Sequence, residues 1–148
     1  MPAAASPRHV VEAVMQGITD AAWSDLHRWY ADDAVVEYPF ALPAPSRLEG
    51  VEAIRRYFAA TATAPLKLRA QNMVVHETTD PEVVVAEWDY DGLVTTTGRT
   101  FRVSNIQVSR VRDGQIVASR DYHNHAVLAD ILGQLPAFVA ALASEQPA

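Results

Sequence analysis

The second half of the chain contains four long segments in which apolar and polar residues alternate, and these segments constrain the fold most. They span residues 66–79, 82–93, 98–111 and 115–125, and they are rich in β-branched and aromatic residues. Such alternation predicts half-buried β-strands. Asp80-Pro81, residues 95–98 and Asp113-Gly114 supply turns between them, and the last is a strong hairpin signal. The pattern therefore predicts an antiparallel meander.

Helical segments precede these strands. Ser6-Pro7 is a typical helix start, and apolar residues at helical spacing predict helices over 7–18, 20–30 and 52–62. A short strand at 34–38 and a proline-rich loop at 39–50 separate the last two helices. Two short helical segments, 127–132 and 135–143, follow the strands, and the alanine-rich end of the chain is expected to fray.

This order of elements predicts an α+β fold in which helices pack in the concave face of a strongly curved, mainly antiparallel sheet. Long strands twist, so a cavity can form beneath the helices. No repeat or linker divides the 148 residues. We therefore predict one domain over 1–148, with a core at about 7–132 and a helical tail at 133–148.

Composition restricts the classes of partner and site. The net charge is −6 without a basic cluster, so nucleic acid is not expected as a partner. The absence of cysteine excludes disulfides and thiolate chemistry. No stretch of about 18 apolar residues and no signal-peptide pattern is present, so we expect a cytoplasmic protein that does not contact membranes.

Polar residues interrupt the apolar face of the last two strands. With a period of two, Asn105 and Gln107 share one face of residues 98–111, and Asp121 and His123 share one face of residues 115–125. Burial of a carboxyl group raises its pKa toward neutrality, as a general acid or base requires. Asp121 is thus the first candidate for chemistry, and the alternative is a structural residue at a strand end.

The remaining candidates are aromatic residues and histidines. His123 and His125 have a spacing that suits a metal, but histidine pairs at strand ends are more often hydrogen-bonded or exposed, so no metal is predicted. No cofactor motif is present. Aromatic side chains can form core and pocket wall together, and the candidates for substrate contact are Tyr38, Phe40, Tyr57, Phe58 and Trp88 with Gln107 and His123. The loop 39–50, which holds Phe40, would form the rim.

Four motifs occur in order along the chain: YADDAVVEYP at 30–39, EGVEAI with YF at 49–58, RDGQI at 112–116 and RDYHN at 120–124. Their order and spacing resemble the SnoaL-like members of the nuclear transport factor two-like superfamily, which also contains ketosteroid isomerases and limonene epoxide hydrolases. The resemblance implies a cone-shaped α+β barrel that is usually dimeric through its sheet. It also implies that Asp121 is the general acid/base of a polyketide-cyclase-like site and that Asn105 is an amide that helps to bind the substrate.

The resemblance predicts a cofactor-independent enzyme that cyclises, isomerises or dehydrates a hydrophobic oxygenated, polyketide-like substrate. Two related chemistries are disfavoured. Tyr38 occupies the position of the isomerase base, and residues 82–93 lack the arginine of the epoxide hydrolases. The alternatives are a non-catalytic ligand-binding or dimeric interaction module, and an epoxide-hydrolase-like enzyme with a different water-activating set.

Overall fold

The computed structural model describes residues 3–145, so the last residues of the predicted fraying tail lie outside it. Helix α1 spans Pro7–Thr19 and α2 spans Val51–Ala62. The strands are β1 (Tyr30–Tyr38), β2 (Ser46–Glu49), β3 (Leu66–Glu77), β4 (Val83–Val94), β5 (Thr100–Arg112) and β6 (Gln115–Tyr122). Two helices follow, α3 (His125–Ile131) and α4 (Leu135–Glu145). No helix among these residues is both long and apolar enough to cross a membrane.

All six strands form one mixed sheet in the order β2-β1-β6-β5-β4-β3. The predicted meander β3-β4-β5-β6 is antiparallel throughout, β1 joins it by parallel pairing with β6, and β2 pairs antiparallel with β1. The sheet is open at β2 and β3 and does not close on itself. These features confirm the α+β class and the mainly antiparallel sheet.

The helices cover one face of the sheet. The hydroxyl oxygen of Ser6 accepts the backbone N–H of His9 at 3.2 Å, which caps α1 as predicted. One face of α1 is buried and packs against strands β3 to β6. From α2, Ile54 and Phe58 enter the same core. On β4, Val84, Ala86, Trp88 and Tyr90 point into this core, as the period of two predicts.

The region before α2 differs from the prediction. The expected second helix at 20–30 is a single 3-10 turn, Leu26–Trp29, and Tyr30 already begins β1. The predicted loop at 39–50 contains β2. Sheet pairing explains both differences, because β1 is held on one edge by β6 and on the other by β2. The local spacing of apolar residues gives no information about this long-range strand pairing.

The predicted strand over 115–125 ends at Tyr122. The Asn124 side-chain oxygen accepts the backbone N–H of Val127 at 3.2 Å and caps α3, so the chain turns away from the sheet there. Cross-strand pairing moves from Arg110 with Ala118 to Val111 with Ile116, which leaves Val117 as the extra residue of a bulge. Ile116 rather than Val117 is therefore buried with Asp121.

Candidate active site

The core face of β5 and β6 carries polar side chains opposite one another. Ser109 lies opposite Ser119, and Gln107 lies opposite Asp121. All four are buried, with 1%, 2%, 3% and 7% of their surfaces exposed, respectively. The amide of Gln107 donates to the Ser109 hydroxyl oxygen at 2.8 Å, and the Ser119 hydroxyl donates to a carboxylate oxygen of Asp121. The sheet register therefore brings one carboxyl group into the core with a hydroxyl partner.

Burial changes the acidity of this carboxyl group. It raises the pKa of Asp121 to about 7, while the hydrogen bond from Ser119 acts in the opposite direction and favours the charged form. An acid with this pKa is present in both protonation states at neutral pH. Asp121 can therefore accept and return a proton under physiological conditions.

Asp121 faces a cavity of about 230 Å³ between the sheet, α2 and α3. Four of the predicted contact residues line it together with Asp121, namely Tyr38, Tyr57, Phe58 and His123. The remaining wall is mostly apolar, and further aromatic rings come from Trp23, from Tyr30 at the start of β1 and from Tyr90 on β4. The full lining is Ile18, Trp23, Tyr30, Val36, Tyr38, Leu48, Ile54, Tyr57, Phe58, Thr61, Ala64, Leu66, Leu68, Tyr90, Asp121, His123, Leu128 and Leu132.

Two tyrosines of this wall were not predicted as site residues. Tyr30 was expected to end a helix, and Tyr90 was placed only in the apolar face of its strand. Burial, and then the nearby charge of Asp121, hold the pKa of Tyr30 well above its ordinary value; burial does the same for Tyr38. The hydroxyls of Tyr30 and Tyr38 therefore stay protonated and can donate hydrogen bonds. Of the two residues that were not predicted, Tyr90 had a signal in the sequence, namely its alternation with Trp88 on one strand face.

The other predicted site residues occupy different places. Asn105, Trp88 and Phe40 line an open groove of about 660 Å³, which His123 also borders. None of the three lines the Asp121 cavity. Gln107 borders neither space, and its amide is used in the bond to Ser109. His123 is thus the predicted residue that connects the cavity with the groove.

Three buried polar atoms on the core face beside Asp121 have no hydrogen-bond partner among the described residues. They are Nε1 of Trp88, Oδ1 of Asn105 and Nε2 of His123. Trp88 and Asn105 face each other across β4 and β5, and the rings of Trp88 and His123 meet edge to face with centroids 5.8 Å apart. Burial lowers the pKa of His123 to about 4, so its ring is neutral at physiological pH. Buried polar atoms without partners favour a bound polar group or water at this end of the site.

The ionisable groups of the cavity are few. Within residues 3–145, no group of three or more histidine, aspartate or glutamate side chains is arranged to hold a metal ion. The rings of His123 and His125 stack with centroids 5.9 Å apart, and each is 6.1 Å from the ring of Tyr38. In the described part of the chain, Asp121 is the sole carboxyl group in the cavity lining, and no arginine or lysine joins it.

Comparison with known proteins shows the family of the chain. The SnoaL-like domain family matches residues 11–119, which end two residues before Asp121. The uncharacterized protein YesE of Bacillus subtilis is 35% identical over 116 residues, which cover 76% of this chain and 75% of YesE. An uncharacterized PhzA/B-like protein of Pseudomonas aeruginosa is 33% identical over 116 residues, which cover 78% of this chain and 79% of that protein.

Solved structures show the same fold. A Bacillus subtilis protein provisionally assigned as an isomerase superposes with a TM-score of 0.78 at 31% identity, over 84% of this chain and 91% of that chain. A protein of Xanthomonas campestris provisionally assigned as a polyketide cyclase gives a TM-score of 0.70 at 21% identity, over 87% and 96%. The family match spans most of the chain, and relatives above 30% identity cover three quarters of it. This chain is therefore a member of the SnoaL-like domain family.

Proposed function

We propose that this protein is a cofactor-independent enzyme in which Asp121 moves a proton on a hydrophobic oxygenated substrate. The observation that carries the proposal is the placement of one buried carboxyl group, with a pKa of about 7, in an otherwise apolar and phenolic cavity. Fold neighbours provisionally assigned as polyketide cyclases, and a phenazine biosynthesis-related protein of Pseudomonas aeruginosa, support a metabolic role.

The proposed chemistry begins at a carbon next to a carbonyl group. The Asp121 carboxylate takes the proton, the C–H electron pair forms the enolate, and negative charge develops on the carbonyl oxygen. A hydrogen-bond donor at that oxygen lowers the barrier. In a β,γ-unsaturated ketone the C=C bond extends the enolate to a dienolate, and protonated Asp121 then returns the proton to the γ-carbon as the double bond moves into conjugation, which completes an isomerisation. Alternatively, the enolate carbon attacks a second carbonyl carbon and Asp121 protonates the new alkoxide, which completes a cyclisation.

Two sets of donors can stabilise the enolate in this proposal. Tyr30, Tyr38 and Tyr57 line the same cavity as Asp121, so their hydroxyls are favoured. The sequence-based assignment of Asn105 requires its amide to reach the substrate past His123. We therefore propose the phenols as the principal donors and Asn105, with Trp88, as a support for the neutral ring of His123.

Proton exchange on a simple carbon acid tests the role of Asp121 without knowledge of the substrate. β-Tetralone is an uncharged ketone with an acidic C–H bond, and its exchange in deuterated water is followed by NMR. We expect the wild-type protein to accelerate exchange and Asp121→Asn to reduce that acceleration by about 100-fold or more. Asp130→Asn is the matched control, because Asp130 is an exposed carboxylate paired with Arg99. Equal acceleration by Asp121→Asn and wild type would contradict the proposal.

A ligand-binding role without turnover is the second candidate. A Catenulispora acidiphila protein with a ketosteroid isomerase-like fold, 18% identical to this chain with a TM-score of 0.69, was solved in complex with trimethylamine. A small ligand can therefore occupy a protein of this fold. Tight binding of a compound that is recovered unchanged, together with no acceleration of β-tetralone exchange, would favour this candidate.

A further inference from the structure

The charge of the cavity wall restricts what can bind beside Asp121. All twelve lysine and arginine residues of the chain fall within the described residues, ten are exposed, and Arg8 and Arg110 are half-buried. None lines the cavity. Arg8 donates to the Val75 carbonyl at 3.0 Å, and Arg110 donates to Asp80 at 2.9 Å, so both are held elsewhere.

An anionic ligand would therefore lose its hydration without gaining a cationic partner. Burying an unpaired charge is strongly unfavourable, and an ionised Asp121 would add repulsion. The phenol hydroxyls of Tyr30 and Tyr38 instead offer neutral hydrogen-bond donors, which suit a carbonyl or hydroxyl oxygen. The wall selects against carboxylate and phosphate groups.

The size of the cavity restricts the ligand further. A volume of about 230 Å³ lies below the roughly 300–1,000 Å³ of common ligand pockets. At the packing density of protein interiors, about 0.75, it encloses at most roughly 170 Å³ of van der Waals volume. One ring or two fused rings fit that space, and a tetracyclic skeleton does not. A neighbouring space of about 240 Å³ beneath α3 and α4 shares four lining residues with the cavity, namely Tyr57, His123, Leu128 and Leu132.

We infer that the substrate is an uncharged molecule of one ring or two fused rings that carries a ketone, enol or phenol oxygen. The cavity wall specifies only what binds, so the statement that this molecule is a substrate rests on the proposed function. Binding and turnover are therefore measured separately, so that either statement can fail alone.

Matched aromatic probes test the charge. Trp23 in the wall supplies a fluorescence signal for titrations of the full chain with naphthol, naphthoate and naphthylmethylammonium. We expect naphthol to bind at least about tenfold more tightly than naphthoate. The preference should persist in Asp121→Asn, because the missing cation, and not Asp121 alone, excludes the anion. Naphthoate binding equal to naphthol binding, in the wild type or in Asp121→Asn, would overturn the inference.

The ammonium probe addresses the opposite charge. Six aromatic rings and one carboxyl group could also hold an organic cation through cation–π contacts. Tighter binding of naphthylmethylammonium than of naphthol would show an amine site and overturn the inference.

Hydroxypyrene tests the size limit, and we expect it to bind at least about tenfold more weakly than naphthol. Comparable affinity for the four-ring probe would contradict the size limit.

A designed cation provides the converse test. Thr61 lies in the cavity wall on α2, and its hydroxyl donates only to the Tyr57 carbonyl of the same helix. We expect Thr61→Lys to tighten naphthoate binding by about fivefold or more, and the matched Thr61→Gln not to do so. Unchanged naphthoate affinity in a folded Thr61→Lys protein would contradict the explanation by charge. Proper folding is checked by retained naphthol binding. If the wild-type protein prefers naphthol to naphthoate but does not accelerate β-tetralone exchange, only the proposed chemistry is refuted.

Discussion

Asp121 combines a buried carboxyl group with a hydroxyl partner two residues earlier on the same strand. The Ser119 hydroxyl donates to the carboxylate, so it stabilises the charged form and lowers the pKa, while burial raises the pKa to about 7. The base in the proposed chemistry is the carboxylate. Activity should therefore rise as pH increases through the pKa of Asp121 and level off above it.

Ser119→Ala removes that hydrogen bond and should move the midpoint of the pH profile upward. The measurement is the rate of β-tetralone exchange as a function of pH for wild type and variant. Ser104→Ala is the control, since Ser104 is an exposed hydroxyl on β5 that donates to Asp89. A midpoint that stays in place or moves downward in Ser119→Ala would show that this hydroxyl does not control the protonation of Asp121.

At the scale of elements, β4 and β5 pack with an aromatic ring over a glycine. Gly92 lies opposite Phe101, and a Cβ atom added at Gly92 would come within 2.1 Å of that ring. Gly92→Ala should therefore destabilise the protein by about 1–3 kcal/mol through overpacking. Urea unfolding measures the loss. The double variant Gly92→Ala/Phe101→Leu should recover part of it, and an unchanged stability of Gly92→Ala would contradict the packing argument.

The meander was predictable because its strands are long and have one apolar face. That period of two also placed Asn105, Gln107 and Asp121 correctly inside the core. Strand β2 and the early start of β1 were not predictable, since their hydrogen bonds depend on partners distant in sequence or across a proline-rich loop. Tyr30 was missed as a wall residue for the same reason.

The site was predictable in part for a related physical reason. Alternation tells which face of a strand a residue occupies, but not how far along the face the cavity extends. Asp121 and His123 therefore border the cavity, whereas Asn105 and Trp88, on the same face, lie outside its lining. Tyr57 and Phe58 join the wall because α2 lies over the core, a placement that helical spacing alone does not specify.

At the scale of the whole molecule, the sheet face away from the helices carries charged side chains around exposed apolar ones. Asp91 pairs with Arg102 at 2.8 Å, and His76 lies 2.7 Å from Glu87. Val74 and Ile106 remain 50% and 41% exposed between such groups and border the 660 Å³ groove. An apolar patch rimmed by charges is typical of a protein interface. We therefore propose this outer face as the contact surface of the homodimer that the family resemblance implies.

We expect the protein to sediment as a homodimer and Ile106→Asp to shift it toward the monomer, because a carboxylate on each copy would be buried unpaired at the contact. Val139→Asp is the matched control, since Val139 is a comparably exposed apolar residue, 55% exposed, on α4. Analytical ultracentrifugation over a range of concentrations measures both variants. Dissociation by Val139→Asp but not by Ile106→Asp would place the interface on the C-terminal helix, and a monomeric wild type would refute the homodimer. Retained naphthol binding by Ile106→Asp would show in addition that the Asp121 cavity is complete within one copy, as its single-chain lining predicts.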